Sequence, residues 1–154
     1  MRLYLMQHGK AHSGETDAEK TLTNEGRAEV ERVAAFLAKT APEKRGKVLH
    51  SGKTRARETA EILAAIDPHL EVWSAPDLGP TADPAIWAKR AVELGESVAI
   101  VGHLPHLAGM TSLLLTGEAE PAVVSFTNGG MVCLERSPEG EWSLLWSVVP
   151  WLLA

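Results

Sequence analysis

Apolar residues fall along this chain in two alternating patterns, short continuous runs and longer stretches at helical spacing. Leu3-Tyr4-Leu5-Met6 is the first run, and predicts a strand buried on both faces, as in the middle of a mostly parallel sheet. Residues 9–22 are polar, carry Ser13, Gly14 and several charges, and predict a loop. Beyond Thr23 or Asn24, either of which suits an N-cap, Ala28, Val30, Val33, Ala34, Phe36, Leu37 and Ala38 recur at helical spacing, predicting a helix that fades between Lys39 and Pro42. Lys47-Val48-Leu49-His50 predicts a second strand, ended by Ser51-Gly52. A helix over 54–66 follows, with Ala56, Thr59, Ala60, Leu63 and Ala64 on one face and Asp67-Pro68 as its stop.

The alternation continues. Residues 70–73 predict a third strand, residues 75–84 a loop that contains Pro76, Pro80 and Pro84, and residues 86–94 a helix closed by Gly95. Ser97-Val98-Ala99-Ile100-Val101 is the clearest buried strand. It runs through Gly102-His103 into a helix with Pro105 in its first turn, continued by residues 107–115 as far as Gly117. Short strands alternating with longer helices predict an α/β fold: three layers, α/β/α, around a mostly parallel central sheet. After Pro121 the pattern changes, and residues 131–135 and 142–149, separated by Ser137-Pro138-Glu139-Gly140, predict an antiparallel β-hairpin at one edge. No repeat or linker interrupts the sequence, so residues 1–154 are expected to form one domain, without a cap domain.

Composition narrows the function classes. A 45% hydrophobic and 23% charged chain has the makeup of a globular protein, and its net charge of −5 argues against a broad nucleic-acid surface. Cys133 is the only cysteine and can form no internal disulfide. With no apolar run long enough for a membrane span and no signal-peptide pattern at the start, a cytoplasmic protein with no membrane partner is expected. An anionic substrate would need a local cationic cluster.

Candidate chemistry gathers where three strands end: His8 after the first, Ser51 with Arg55 after the second, and His103 after the fourth. Parallel strands point the same way, so these ends can share one rim. Two imidazoles and a guanidinium near a helix N-terminus suit a phosphoryl group. Arginine binds two phosphate oxygens at once, a neutral histidine can attack phosphorus, and a second, protonated histidine can stabilise the equatorial oxygens. Enough cationic donors make a metal unnecessary, and neither metal nor cofactor is expected. The paired spacings of His8, His12, His103 and His106 lack the carboxylates or thiolates usual in zinc sites.

These segments resemble the histidine phosphatase superfamily, which includes the phosphoglycerate mutases, and most closely its short SixA-type phosphohistidine phosphatases. The resemblance lies in Met6-Gln7-His8-Gly9-Lys10-Ala11, Leu22-Thr23-Asn24-Glu25-Gly26, residues 51–60, Asp77-Leu78-Gly79-Pro80 and Val101-Gly102-His103-Leu104-Pro105-His106. It implies His8 as nucleophile, Arg55 as phosphate ligand and His103 as the second, charge-stabilising histidine. It also draws attention to Gln7 and Gly9 beside the nucleophile. Lys20 falls where SixA-type proteins carry a basic residue, and both a phosphate contact and a solvated lysine are open to it. The Leu104 backbone N–H is a candidate oxyanion donor by the helix-terminus argument.

Two departures stand out. Gln7 replaces the arginine that precedes the nucleophile in the family, and loss of one such donor typically costs about 10² to 10³ in rate. Lys10 or Lys20 could restore the charge. Gly52 replaces the family's proline and is expected only to loosen the turn. The expected activity is hydrolysis of protein phosphohistidine through a phosphoenzyme on His8, with a phosphorylated protein as partner. Imidazole is a good leaving group, so a general acid such as Asp77 is dispensable, and the latter reads more simply as a surface loop residue. The alternatives are a phosphoprotein-binding relative weakened by Gln7 and a phosphatase of small phosphate esters. His50 or His106 could buttress the pocket. Trp142, Trp146 and Trp151 are expected to pack the hairpin against the sheet, whereas an exposed tryptophan face would point to a homodimer contact.

Overall fold

The computed structural model describes residues 1–40 and 46–154. In chain order these form β1 (Arg2–Gln7), α1 (Asn24–Thr40), β2 (Lys47–His50), α2 (Thr54–Ile66), β3 (Glu71–Ser74), α3 (Pro84–Leu94), β4 (Val98–Gly102), α4 (His106–Thr116), β5 (Met131–Arg136) and β6 (Trp142–Val148). The strands make one sheet in the order β3-β2-β4-β1-β5-β6. The first four are mutually parallel, with Leu5 opposite Ile100 and Leu49 opposite Ile100 on its other side. The β5–β6 hairpin adds antiparallel to β1. This is the mixed α/β architecture that the alternating pattern predicts.

Alternation along each strand builds two cores, because successive side chains leave a strand on opposite faces. Tyr4, Met6, Val48, Ala99 and Val101 pack under α1 and α2 with Val33, Leu37, Ala60 and Leu63. Leu3, Leu5, Leu49, Val98 and Ile100 pack on the other face with Trp87 and Ala91 of α3 and Leu107 and Met110 of α4. The apolar run of β1 thus fills both cores, and residues 3–6 are all fully buried.

Helix boundaries follow local chemistry. The Thr23 hydroxyl accepts the Gly26 N–H at 2.9 Å, which makes Thr23 the cap of α1. The buried face of α1 is Gly26, Val30, Val33, Ala34 and Leu37; of the other apolar positions at helical spacing, Ala28 lies off this stripe and Ala38 at its flank in the last turn, and both are exposed. The expected fading through residues 41 and 42 lies outside the described residues. Asp83 caps α3 by accepting the Ala85 N–H, with Pro84 in the first turn, and left-handed Gly95 and Gly117 end α3 and α4. Pro105, expected inside α4, precedes it as the capping residue. Trp146 packs as expected, its ring centroid 6.1 Å from Tyr4 and 6.0 Å from Phe36, and Trp142 lies against the other core. Trp151 does not: it sits in a C-terminal turn and is 70% exposed. No helix among the described residues is long and apolar enough to cross a membrane.

Candidate active site

In this strand order β4 lies between β2 and β1, so the three strand ends singled out in the sequence are neighbours on one rim. The His8 and His103 rings are neighbours, with centroids 5.0 Å apart and planes tilted by 51°. His8, Arg55 and Lys20 line one open cavity of about 330 Å³, together with Lys10, Ala11, His12 and Asn128.

His8 is held in one protonation pattern. Its Nδ1 lies 2.8 Å from the Gly9 carbonyl, which can only accept, so Nδ1 carries the proton and Nε2 keeps its lone pair. Burial lowers the His8 pKa, the Gly9 hydrogen bond opposes this, and the Arg55 charge adds to the lowering. The imidazole is therefore neutral at pH 7, as attack on phosphorus would require. The support comes from beneath: the Gly9 N–H donates to Thr59 Oγ1 at 3.1 Å, and that hydroxyl donates to the Arg55 carbonyl at 2.7 Å. One fully buried threonine of α2 thus ties the β1 turn to the helix that carries Arg55.

His103 is buried and its Nε2 lies 2.6 Å from Ser51 Oγ, while Nδ1 is buried without a partner. Burial foremost, and then His8 (once it is itself protonated at low pH), Arg55 and Lys53, push its pKa down to about 3, with Asp17 acting the other way. The expectation of a protonated second histidine is corrected here. His103 is neutral at pH 7 in the field of the protein's own groups, and only an added negative charge would favour its protonation.

Other expected site residues fall differently. Gln7 ends β1 opposite Gly102, its side-chain oxygen is buried and unpartnered, and it does not line the cavity. Gly9 is no open donor, since its N–H is committed to Thr59. It is glycine for packing, because a Cβ there would sit 2.9 Å from the Val30 side chain. Leu104 is 38% exposed and lies just before the capping residue of α4, within the turn closed by the Leu107 N–H bond to the His103 carbonyl at 2.9 Å. Lys10 reaches the cavity wall but pairs with Glu25 at 2.7 Å and Glu29 at 3.4 Å. Lys20 forms no ion pair among the described residues and is the freer cation. Asp77 pairs with Arg90 at 2.8 Å away from the cavity, as a surface acid would. Gly52 does more than loosen a turn: its φ of +89° is closed to proline, and its N–H bonds His50 Nδ1 at 3.0 Å.

Asn128 and Asp17 were not foreseen. Asn128 donates to the His8 carbonyl at 3.0 Å and lines the cavity; the Thr127-Asn128-Gly129-Gly130 turn signal before β5 could have marked it. Asp17 reaches Arg55 Nη1 at 3.1 Å and Lys53 Nζ at 2.8 Å from a loop without periodicity. Among the described residues no group of three or more His, Cys, Asp or Glu is placed to hold a metal.

Residues 3–80 match the family model of the histidine phosphatase superfamily (branch 1). No curated protein matches the sequence significantly. Among solved structures, the fold is similar to the protein histidine phosphatase SixA complexed with tungstate, at 26% identity over all of both chains and a TM-score of 0.85. A candidate phosphohistidine phosphatase SixA from Agrobacterium tumefaciens is 23% identical over 97% of both chains, with a TM-score of 0.80. A mycobacterial glucosyl-3-phosphoglycerate phosphatase solved with VO3 is 18% identical over 94% of this chain and 97% of its own, with a TM-score of 0.73.

Proposed function

The chain belongs to the histidine phosphatase superfamily, and from that premise we propose that it hydrolyses phosphohistidine on a protein through a covalent intermediate on His8. The observation that carries the reading is the paired geometry of His8 and His103: a neutral imidazole with a free Nε2, beside a second neutral imidazole, above a cavity lined by Arg55 and Lys20. In the first step His8 Nε2 forms a bond to phosphorus. The P–N bond of the substrate breaks, and its imidazole, already protonated on the far ring nitrogen, leaves neutral with the electron pair. In the second, water attacks the phosphorus, Nε2 recovers its lone pair and inorganic phosphate departs. Arg55 and Lys20 hold the oxygens in both steps. The phosphoryl charge raises the proton affinity of His103, so this group can take a proton from solvent and, as an imidazolium, donate a hydrogen bond to a phosphoryl oxygen.

Substrate class follows from the lining. Among the described residues the cavity wall holds cations, imidazoles and an amide but no carboxylic acid, and Asp77 is engaged by Arg90. Expelling an alkoxide calls for a proton donor, whereas expelling an imidazole does not. The open form of the cavity also suits a side chain presented on a protein. A second reading, a phosphoprotein-binding relative with little turnover, rests on Gln7, which brings no charge to the wall.

The test compares initial rates on a phosphohistidine-bearing protein and on p-nitrophenyl phosphate. The reading expects the protein substrate to be preferred by at least about tenfold in kcat/KM, with His8→Ala abolishing turnover and Arg55→Ala lowering it by about 10² to 10³. Preference for the ester would point to small phosphates, and stoichiometric binding without turnover to the second reading.

A further inference from the structure

The loop between β1 and α1 places His12 and Lys20 in the cavity wall, yet it is lightly attached. At its base Ala11 bridges to Leu22 and the His12 N–H bonds the Thr21 carbonyl at 2.8 Å. Its tip is a single helical turn, Asp17–Glu19, with no buried residue and no side-chain cap. The tip meets the body through the Asp17 carboxylate, with Oδ1 3.1 Å from Arg55 Nη1 and Oδ2 2.8 Å from Lys53 Nζ. Lys53 and Arg55 together hold this carboxyl below the usual carboxylate range, so it is ionised at neutral pH.

Such a carboxylate can act in two opposite ways. As a stand-in for phosphate it would compete with the substrate for Arg55. As a clamp it would orient Arg55 and leave phosphate a better seat. The geometry separates them. Asp17 and Lys53 do not line the cavity that Arg55, Lys20 and His8 share, and the carboxylate takes only one Nη of a guanidinium that has five N–H donors. The contact is made from outside the cavity.

We propose that Asp17 is a positioning residue that fixes Arg55 from outside the cavity and pins the loop tip so that Lys20, three residues on, completes the anion cradle. Lys20 then supplies charge that Gln7 does not bring. The proposal rests on the phosphoryl-site reading above and names the residue on which that site's affinity depends.

The test is titration of inorganic phosphate by calorimetry into wild type, Asp17→Asn, Asp17→Glu, Lys20→Met and the Asp17→Asn/Lys20→Met double variant, with thermal midpoints as a check of folding. The expected result is binding about tenfold weaker in Asp17→Asn, the size of one lost charge-assisted hydrogen bond, and a similar loss in Lys20→Met. The double variant falls short of the sum of the two losses, because Asp17 acts through Lys20, and Asp17→Glu retains most of the affinity. A merely structural role would give additive losses. Wild-type or tighter binding by Asp17→Asn, or full additivity, overturns the inference while leaving the phosphoryl site standing. Absence of phosphate binding by wild type overturns the site reading and this inference with it.

Discussion

Replacing Thr59 by valine removes one hydroxyl while keeping the side-chain shape, and tests how the proposed nucleophile, His8, is supported. The hydroxyl is fully buried; it accepts the Gly9 N–H at 3.1 Å and donates to the Arg55 carbonyl at 2.7 Å. The Arg55 carbonyl belongs to the ladder of α2 and has a backbone donor there. The Gly9 N–H has no such reserve, and a buried donor left without a partner costs about 1–3 kcal/mol. The extra methyl returns part of this, so a net loss of about 1–2 kcal/mol is expected, or about 2–8 °C in Tm for a chain of this size. Under the proposed mechanism function suffers as well, because the Gly9 carbonyl holds His8 Nδ1 at 2.8 Å and so leaves Nε2 unprotonated for attack. The expected kcat is about tenfold lower, with smaller change in KM. Thr59→Ser is the control, since it keeps the hydroxyl and loses a buried methyl at about 1 kcal/mol, with the rate nearly unchanged. Urea denaturation and steady-state kinetics read both quantities. A Thr59→Val protein with wild-type midpoint and rate would refute the reasoning, as would equal rate losses in the valine and serine variants.

Two further outcomes follow from packing and from charge. A Cβ on Gly26 would lie 2.2 Å from the Lys10 carbonyl oxygen and 2.9 Å from its amide nitrogen, so Gly26→Ala should lower stability by about 1–3 kcal/mol despite alanine's better helix propensity, as read by the urea midpoint. The unfolded chain protonates His103 near 6.5 and the folded protein only near 3. Between these values the unfolded state binds more protons, so stability is full above about pH 6.5 and declines as the pH falls through the interval. His8, His50 and His106, all lowered by burial, act in the same direction. His103→Gln should flatten the slope of stability against pH between 6 and 4, and an unchanged slope would contradict the assignment.

Much of the fold was legible because its signals are local and periodic. The continuous runs of β1 and β4 and the bounds of α2 are written in adjacent residues, and the hairpin in its alternation and turn. Parallel topology then brings His8, Ser51 and His103 to one rim with little further information. What stayed hidden depends on contacts distant in sequence. Asn128 reaches the His8 carbonyl across 120 positions, and Asp17 reaches Arg55 across 38; the turn signal around Asn128 marks a turn but not its distant partner, and the loop around Asp17 has no apolar periodicity. The role of Gly9 is set by Val30 on another element, and that of Gly52 by a backbone angle. The protonation of His103 escaped for the same reason, since burial foremost and then the neighbouring His8, Arg55 and Lys53 decide it.

The central claim is that His8 Nε2 becomes phosphorylated and then dephosphorylated. Its most direct test is rapid-quench single turnover with a protein carrying labelled phosphohistidine, followed by neutral-pH peptide mapping of the enzyme. The account predicts a transient, acid-labile phosphoryl group on His8 that rises as substrate falls and decays as inorganic phosphate appears, and that is absent from His8→Ala. Substrate dephosphorylation at the wild-type rate with no label on His8 at any time, or by His8→Ala, would contradict it.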